Sequence, residues 1–181
     1  MSPDATSPAA TSPDATPPAT LPVGFRARVI TVSDRSSRGE RADTSGPLLA
    51  SLLGELGLAV DDVVVVPDDV SAVQAALREA VDAAYDLVVT TGGTGLSPRD
   101  VTPEATRPML EREAPGLAEA LRRQGAAAVP TAVLSRGVCG TIGSSLVLNL
   151  PGSTGGVRDG VQVLAPVLGH ALAQLRGGGD H

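Results

Sequence analysis

The sequence has no lysine, no tryptophan, one cysteine and two histidines, and its aromatic residues are Phe25 and Tyr85 alone. Each scarcity removes a class of chemistry. Without lysine there is no Schiff-base amine, no pyridoxal-phosphate anchor and no Walker A lysine. With Cys139 alone, neither an intrachain disulfide nor a multi-cysteine zinc site can form. His170 falls in a predicted C-terminal helix and His181 is the last residue, so no Ser-His-Asp or Cys-His mechanism is expected. All 14 basic residues are Arg and the net charge is −6. An acidic chain with so few stacking rings is not expected to bind nucleic acid. No apolar run approaches the roughly 18 residues of a membrane span. Residues 1 to 20 also lack the charged-then-apolar layout of a secretory signal. The expectation is a cytoplasmic protein with no membrane partner. Carboxylates, hydroxyls, arginines, backbone amides and a bound metal are left to do any chemistry.

What the sequence does contain is regular alternation. Ser-Pro-Asp-Ala-Thr occurs at Ser2–Thr6 and again at Ser12–Thr16, and residues 1–23 read as a disordered tail that can bury no face. From Gly24 to Arg176 short β-branched runs alternate with helical patterns, and residues 177–181 read as a flexible end. Arg28–Val32 is a predicted strand. A helix follows over Pro47–Leu56, begun by Ser45 and stopped by Gly57. Val63–Val66 is apolar throughout, as a strand buried on both faces would be. Ser71 begins a capping-box pattern for a helix to about Ala84. Asp86–Thr91 is the next strand. Thr102 and Pro103 open another helix, and Pro115–Ala127 forms a further one. Thr131–Ser135 and Leu146–Leu150 read as strands, and a helix with apolar residues three or four apart runs from Gly156 to Arg176. Such alternation predicts βαβ crossovers: one α/β domain, a mainly parallel sheet with helices on both faces.

In open sheets of this kind ligands bind beyond the carboxyl ends of the strands. The unusual residues gather at those ends: Ser33, Asp34 and Arg35 after the first strand, Asp68 and Asp69 after the second, Thr91-Gly92-Gly93-Thr94-Gly95 after the third. Ser135 and Arg136 follow the fourth, and Asn149-Leu-Pro151-Gly152-Ser153 ends the fifth. Glycines let backbone N–H groups approach phosphate oxygens, and helix N-termini add positive potential. Arg35 or Arg38 can pair with phosphate. Asp68 and Asp100 are candidate magnesium ligands through oxygen. Equally, Asp68, Asp69 and Asp100 can serve simply to favour the helices they precede. Neither the dinucleotide fingerprint nor the P-loop pattern occurs.

Thr91-Gly-Gly-Thr-Gly-Leu-Ser-Pro-Arg-Asp-Val-Thr-Pro-Glu-Ala-Thr106 resembles the signature of the MogA/MoaB molybdenum-cofactor biosynthesis family, which includes a domain of gephyrin. Ser33–Gly39, Val66–Asp69, Val129–Arg136 and Asn149–Ser153 match in the same order, and the likeness spans residues 26 to 176. The resemblance implies a three-layer α/β/α molybdopterin-binding fold, commonly a homotrimer, acting as a molybdopterin adenylyltransferase with ATP and Mg2+. It places functional aspartates at Asp68 and Asp100, both as catalytic and as metal residues. It places phosphate and pterin loops at Gly92–Gly95 and Pro151–Ser153, with Ser33, Asp34 and Ser135 on the remaining walls. A molybdate-inserting partner enzyme is also implied. Two other readings use the same residues: a non-catalytic molybdopterin-binding or handover protein, and a nucleotide diphosphate hydrolase. One departure stands out. Ile142, in Gly140-Thr-Ile-Gly143, replaces an arginine common in the family, and Arg136 or an arginine of a neighbouring subunit is the candidate to supply the lost charge.

Overall fold

A computed structural model describes residues 24–178; the predicted tail over residues 1–23 and the last three residues, His181 among them, lie outside the described residues. A seven-stranded sheet forms the middle layer. Its central parallel strands are β1 (Arg26–Val32), β4 (Leu87–Thr91) and β7 (Ser145–Leu150). Beyond β1 lie β2 (Ala59–Val60) and β3 (Val64–Val66), both parallel to it. On the other side, β6 (Cys139–Ile142) and β5 (Arg112–Glu113) continue antiparallel.

Alternation along the central strands assigns each side chain to one face. Ala27, Val29, Leu87, Val89, Leu146 and Leu148 pack into one cluster. That cluster receives α2 (Ser45–Glu55), α5 (Pro115–Ala128) and the long α6 (Thr154–Leu175). Ile30, Val32, Val88 and Val147 point the other way, against α3 (Val70–Asp82) and α4 (Thr102–Thr106). The result is the predicted α/β/α sandwich. The chain leaves β1 through the short α1 (Asp34–Ser37) and α2 toward β2 and β3, then crosses back through α3 to β4 on the opposite side. The carboxyl ends of β1 and β4 are therefore a topological switch point, where a crevice opens.

Several local expectations are corrected. Thr131–Ser135 is not a strand: Pro130–Leu134 forms a 3-10 turn, with Val133 and Leu134 about half exposed. Proline at its start and the Ser135 amide bond to the Ala132 carbonyl override the β-branched pattern. The expected doubly buried Val63–Val66 strand is an edge strand, and Val65 is exposed. Ser71 does not cap α3; Asp69 does, accepting from the Ala72 amide at 2.9 Å. Thr102 is not a cap either. It lies inside α4, buried, and donates to the Gly92 carbonyl at 2.9 Å. The short strands β2, β5 and β6 carry no strong sequence signal.

Candidate active site

Two cavities adjoin at the carboxyl edge of the sheet. One, of about 630 Å³, runs between the glycine loop after β4 and α5, with Leu121, Ala128 and Leu134 among its apolar walls. The other, of about 580 Å³, is polar and lies over the end of β1, with Arg35, Arg38 and Arg41 on its rim. Gly92, Gly93, Asp100 and Gly152 line both. Of the residues singled out at the strand ends, all but Asp69 and Arg136 line at least one. Thr94, Gly95, Ser135, Asn149, Pro151 and Ser153 belong to the first; Ser33, Asp34, Arg35, Asp68 and Thr91 belong to the second.

The dividing ridge is bare backbone by necessity. Gly92 has φ +105°, and a Cβ there would stand 2.3 Å from the Val32 carbonyl oxygen. Gly93 has φ +62°, and its Cβ would fall 2.4 Å from Thr102 Oγ1 and 3.2 Å from Asp68 Oδ1. A Cβ on Gly95 would sit 2.8 Å from Asp100 Oδ2. The two carboxylates thus flank a loop that has no room for a side chain at Gly92, Gly93 or Gly95. Among the described residues, the amides of Gly93, Thr94 and Gly95 donate to no protein acceptor. Free amides beside bare backbone form an anion cradle. The N-terminus of α6, capped by Ser153 through the Gly156 amide at 3.0 Å, adds its dipole to the first cavity.

The carboxylates are held in a linked array. Asp34 and Asp68 exchange bonds: the Asp34 amide donates to Asp68 Oδ2 at 2.8 Å, and the Asp68 amide to Asp34 Oδ1 at 3.1 Å. Arg99 bridges back to Asp34 from the glycine-loop side, donating from Nε at 3.0 Å. That guanidinium holds the Asp34 carboxyl below the ordinary aspartate value. Burial pushes Asp68 above it, and the nearby charges of Asp34 and Asp100 add to the shift. Asp100 Oδ2 accepts from the Ser97 amide at 2.9 Å, closing its own loop. Arg99 is a site residue that the sequence does not single out, although it lies within Thr91–Thr106; an arginine beside Pro98 gives no local sign of its long-range partner.

Asn149 lines the cavity but its side chain is committed inside the protein. Oδ1 accepts from the Val138 amide at 3.2 Å, and Nδ2 donates to Thr90 Oγ1 and Thr106 Oγ1 at 3.0 and 3.1 Å. Thr106 donates onward to the Thr102 carbonyl, and Thr102 to Gly92. Asn149 therefore positions the ridge rather than contacting a ligand. Asn149→Ala leaves the buried Val138 amide and Thr90 Oγ1 without a partner, and a stability loss of about 2–4 kcal/mol is expected, measured by denaturant unfolding.

Two expectations about charge are also corrected. Arg136 is no free phosphate ligand: it donates to the carbonyls of Gly95 and Asp100, each at 2.7 Å, and pairs with Glu104. It clamps the loop that carries Asp100. Ile142 pairs with Ser145 at the start of β7, so it sits at the opposite edge of the sheet from the cavities. Five strand steps of about 3.4 Å separate that end from Leu150, roughly 17 Å. Within one chain, an arginine at position 142 would not reach this crevice. Ile142→Arg is expected to leave turnover within about twofold, because surface charge beyond a Debye length is screened; steady-state kinetics checks it.

An open, mainly parallel α/β sheet with an anion cradle at its switch point defines the class. Within that class, residues 28–170 match the family model described as "Probable molybdopterin binding domain", and the chain belongs to this family. A molybdopterin biosynthesis protein from Mycobacterium abscessus is 52% identical, with a TM-score of 0.81 over 84% of this chain and 97% of that one. A protein from Pyrococcus furiosus named molybdopterin adenylyltransferase is 39% identical over 86% of this chain and 94% of its own length. The molybdenum cofactor synthesis protein cinnamon of Drosophila melanogaster is 43% identical over 80% of this chain. The chain spans only 24% of that protein, and between 22% and 49% of several other curated relatives. Among the described residues, no helix is long and apolar enough to cross a membrane.

Proposed function

We propose that this chain transfers an adenylyl group from ATP to molybdopterin, giving adenylylated molybdopterin and pyrophosphate. The observation that carries this reading is a pair of cavities of opposite character meeting at one wall of glycine backbone and Asp100. The polar cavity, with its arginine rim, suits a nucleotide triphosphate. The apolar one suits a flat heterocycle. The two reacting phosphates would then meet at the glycine ridge, where unpaired amides face them. The relative of similar length named molybdopterin adenylyltransferase supports the same reading.

The terminal phosphate of molybdopterin is the nucleophile. Its oxygen forms a bond to the α-phosphorus of ATP as the bond from that phosphorus to the bridging oxygen of pyrophosphate breaks. A phosphate monoester is largely ionised at neutral pH, with a second pKa near 6, so no strong base is required. That agrees with a chain nearly free of histidine. The residues here bind, orient and neutralise: amides of the glycine loop toward the α-phosphate, arginines toward the leaving pyrophosphate.

Asp68 and Asp100 would hold Mg2+ as part of the same proposal. The donor set fits, since both are carboxylates beside positions where a Cβ would intrude. Among the described residues no three His, Cys, Asp or Glu side chains converge for a metal, so phosphates and water would complete the shell, as magnesium commonly allows. The cation would supply charge neutralisation on the phosphates. A homotrimer, a cytoplasmic location and handover to a molybdate-inserting enzyme also belong to this proposal; the exposed Val129, Val133 and Leu134 beside the apolar cavity offer surface for protein contacts.

The test is pyrophosphate release from ATP and magnesium with and without purified molybdopterin. Release that depends on the pterin is expected. Release without pterin would make the chain a nucleotide hydrolase, and tight pterin binding with no release would make it a binding or handover protein.

A further inference from the structure

Asp159 lies on α6, in its second turn, and lines the apolar cavity alone; Asp100, the other carboxylate on that wall, is shared with the polar cavity. Asp159 is half-buried. Among the described residues it has no ion-pair partner and accepts no side-chain or long-range hydrogen bond. Its Oδ2 lies 3.8 Å from where a Cβ on Gly125 of α5 would stand, a point that Ala132 Cβ also approaches to 2.9 Å, so the carboxylate nears α5 where that helix has no side chain of its own. The arginine that lines this cavity is otherwise engaged: Arg122 donates to the carbonyls of Ser135 and Gly137, at 3.3 and 3.2 Å. An ionisable group left unpaired on an apolar wall is costly unless a ligand satisfies it.

We infer that Asp159 reads the heterocycle, accepting from the ring N3–H and the exocyclic 2-amino group of a 2-amino-4-oxo pyrimidine edge. This deepens the proposed function and rests on its assignment of the apolar cavity to the pterin. A carboxylate carries two acceptors and no donor, which matches two adjacent N–H donors in a fork. It also decides which substrate enters. Adenine offers its 6-amino donor beside the N1 acceptor, so the second carboxylate oxygen would face a lone pair. Asp159 thereby keeps the adenine of ATP out of the pterin cavity and leaves the nucleotide to the polar one. Selection by placing an unmatched polar group against the wrong ligand is the strong form of discrimination.

The experiment is a fluorescence titration of the full chain with 2-amino-4-oxopteridine and with 2,4-dioxopteridine, in wild type and Asp159→Asn. In the dioxo compound a carbonyl replaces the 2-amino donor. Wild type is expected to prefer the amino compound. Asp159→Asn, which turns one acceptor into a donor, is expected to weaken its binding by about 10- to 100-fold, the range for a hydrogen bond to a charged group, and to lose the preference. The KM for ATP in the pyrophosphate assay should not move. Wild type that fails to distinguish the two heterocycles overturns the inference, as does Asp159→Asn binding the amino compound like wild type. If wild type prefers the amino compound yet releases no pyrophosphate with molybdopterin and ATP, adenylyl transfer fails while Asp159 stands.

Discussion

Asp68→Asn and Asp100→Asn are each expected to lower pterin-dependent pyrophosphate release by about 100-fold or more, the scale on which removal of one electrostatic contact at reacting phosphates acts. Pterin binding should persist in both, because neither removes an apolar wall of the first cavity. The two differ in what else they touch. Asp68 is the carboxylate that burial pushes upward. A raised carboxyl pKa means that the native state favours the protonated form, so above that pKa the charge weighs against folding. In the absence of ligands Asp68→Asn should therefore melt at the wild-type temperature or higher at neutral pH; its amide oxygen can still accept from the Asp34 amide. The same shift sets a pH limb. As pH falls through a range above that of an exposed aspartate, Asp68 takes up a proton and the apparent magnesium affinity should decline, and Asp68→Asn should lack that limb. Full activity in both variants, or unfolding of both, would remove the assignment of metal and phosphate to this pair.

Gly92→Ala is expected to be the most disruptive single substitution in the site. The new Cβ would stand 2.3 Å from the Val32 carbonyl oxygen at φ +105°, a contact with backbone that no rotamer can relieve. Backbone strain at such a φ costs about 1–3 kcal/mol, and separating the ends of β1 and β4 adds to it. A loss of about 3 kcal/mol or more would lower Tm by roughly 6–12 °C in a chain of this size. Activity should fall with it, since Gly92 lies between both cavities and its carbonyl anchors Thr102. Calorimetry alongside kinetics separates the two effects. A Gly92→Ala protein with wild-type Tm and turnover would mean that the ridge yields easily and is not what aligns the two substrates. Gly39 gives the contrast: it also has positive φ but no atom within 4 Å of a Cβ, so Gly39→Ala should bear the conformational cost alone.

The class of fold and the rim of the site could be read along the chain because both depend on short-range pattern. Alternating Val, Ile and Leu define β1, β4 and β7, spacing of three or four defines α6, and glycine runs mark where β4 and β7 end. In a parallel sheet those ends fall on one edge whatever the strand order. Placing Gly92, Asp68, Asp100 and Gly152 together therefore required only the alternation.

Which of those residues face a ligand was decided by tertiary structure. Asn149 and Arg136 have the composition of ligand-binding residues, yet Asn149 holds Thr90 and Thr106 and Arg136 clamps the Asp100 loop. Their partners lie tens of residues away, and no local pattern encodes such a pairing. For the same reason Arg99 on Asp34, 65 residues distant, and Asp159 on the apolar wall stayed hidden. The edge strands β2 and β5, two residues each, are too short to carry a period and form only because β1 and β6 present unpaired backbone. The place of Ile142, at the far edge from the crevice, follows from the antiparallel return of β6 along β7. Sequence pattern alone determined the layers, the crevice and the residue types around it; only the folded chain decided which donors and acceptors were already spent on one another, because long-range hydrogen bonds consume the same groups that a ligand would use.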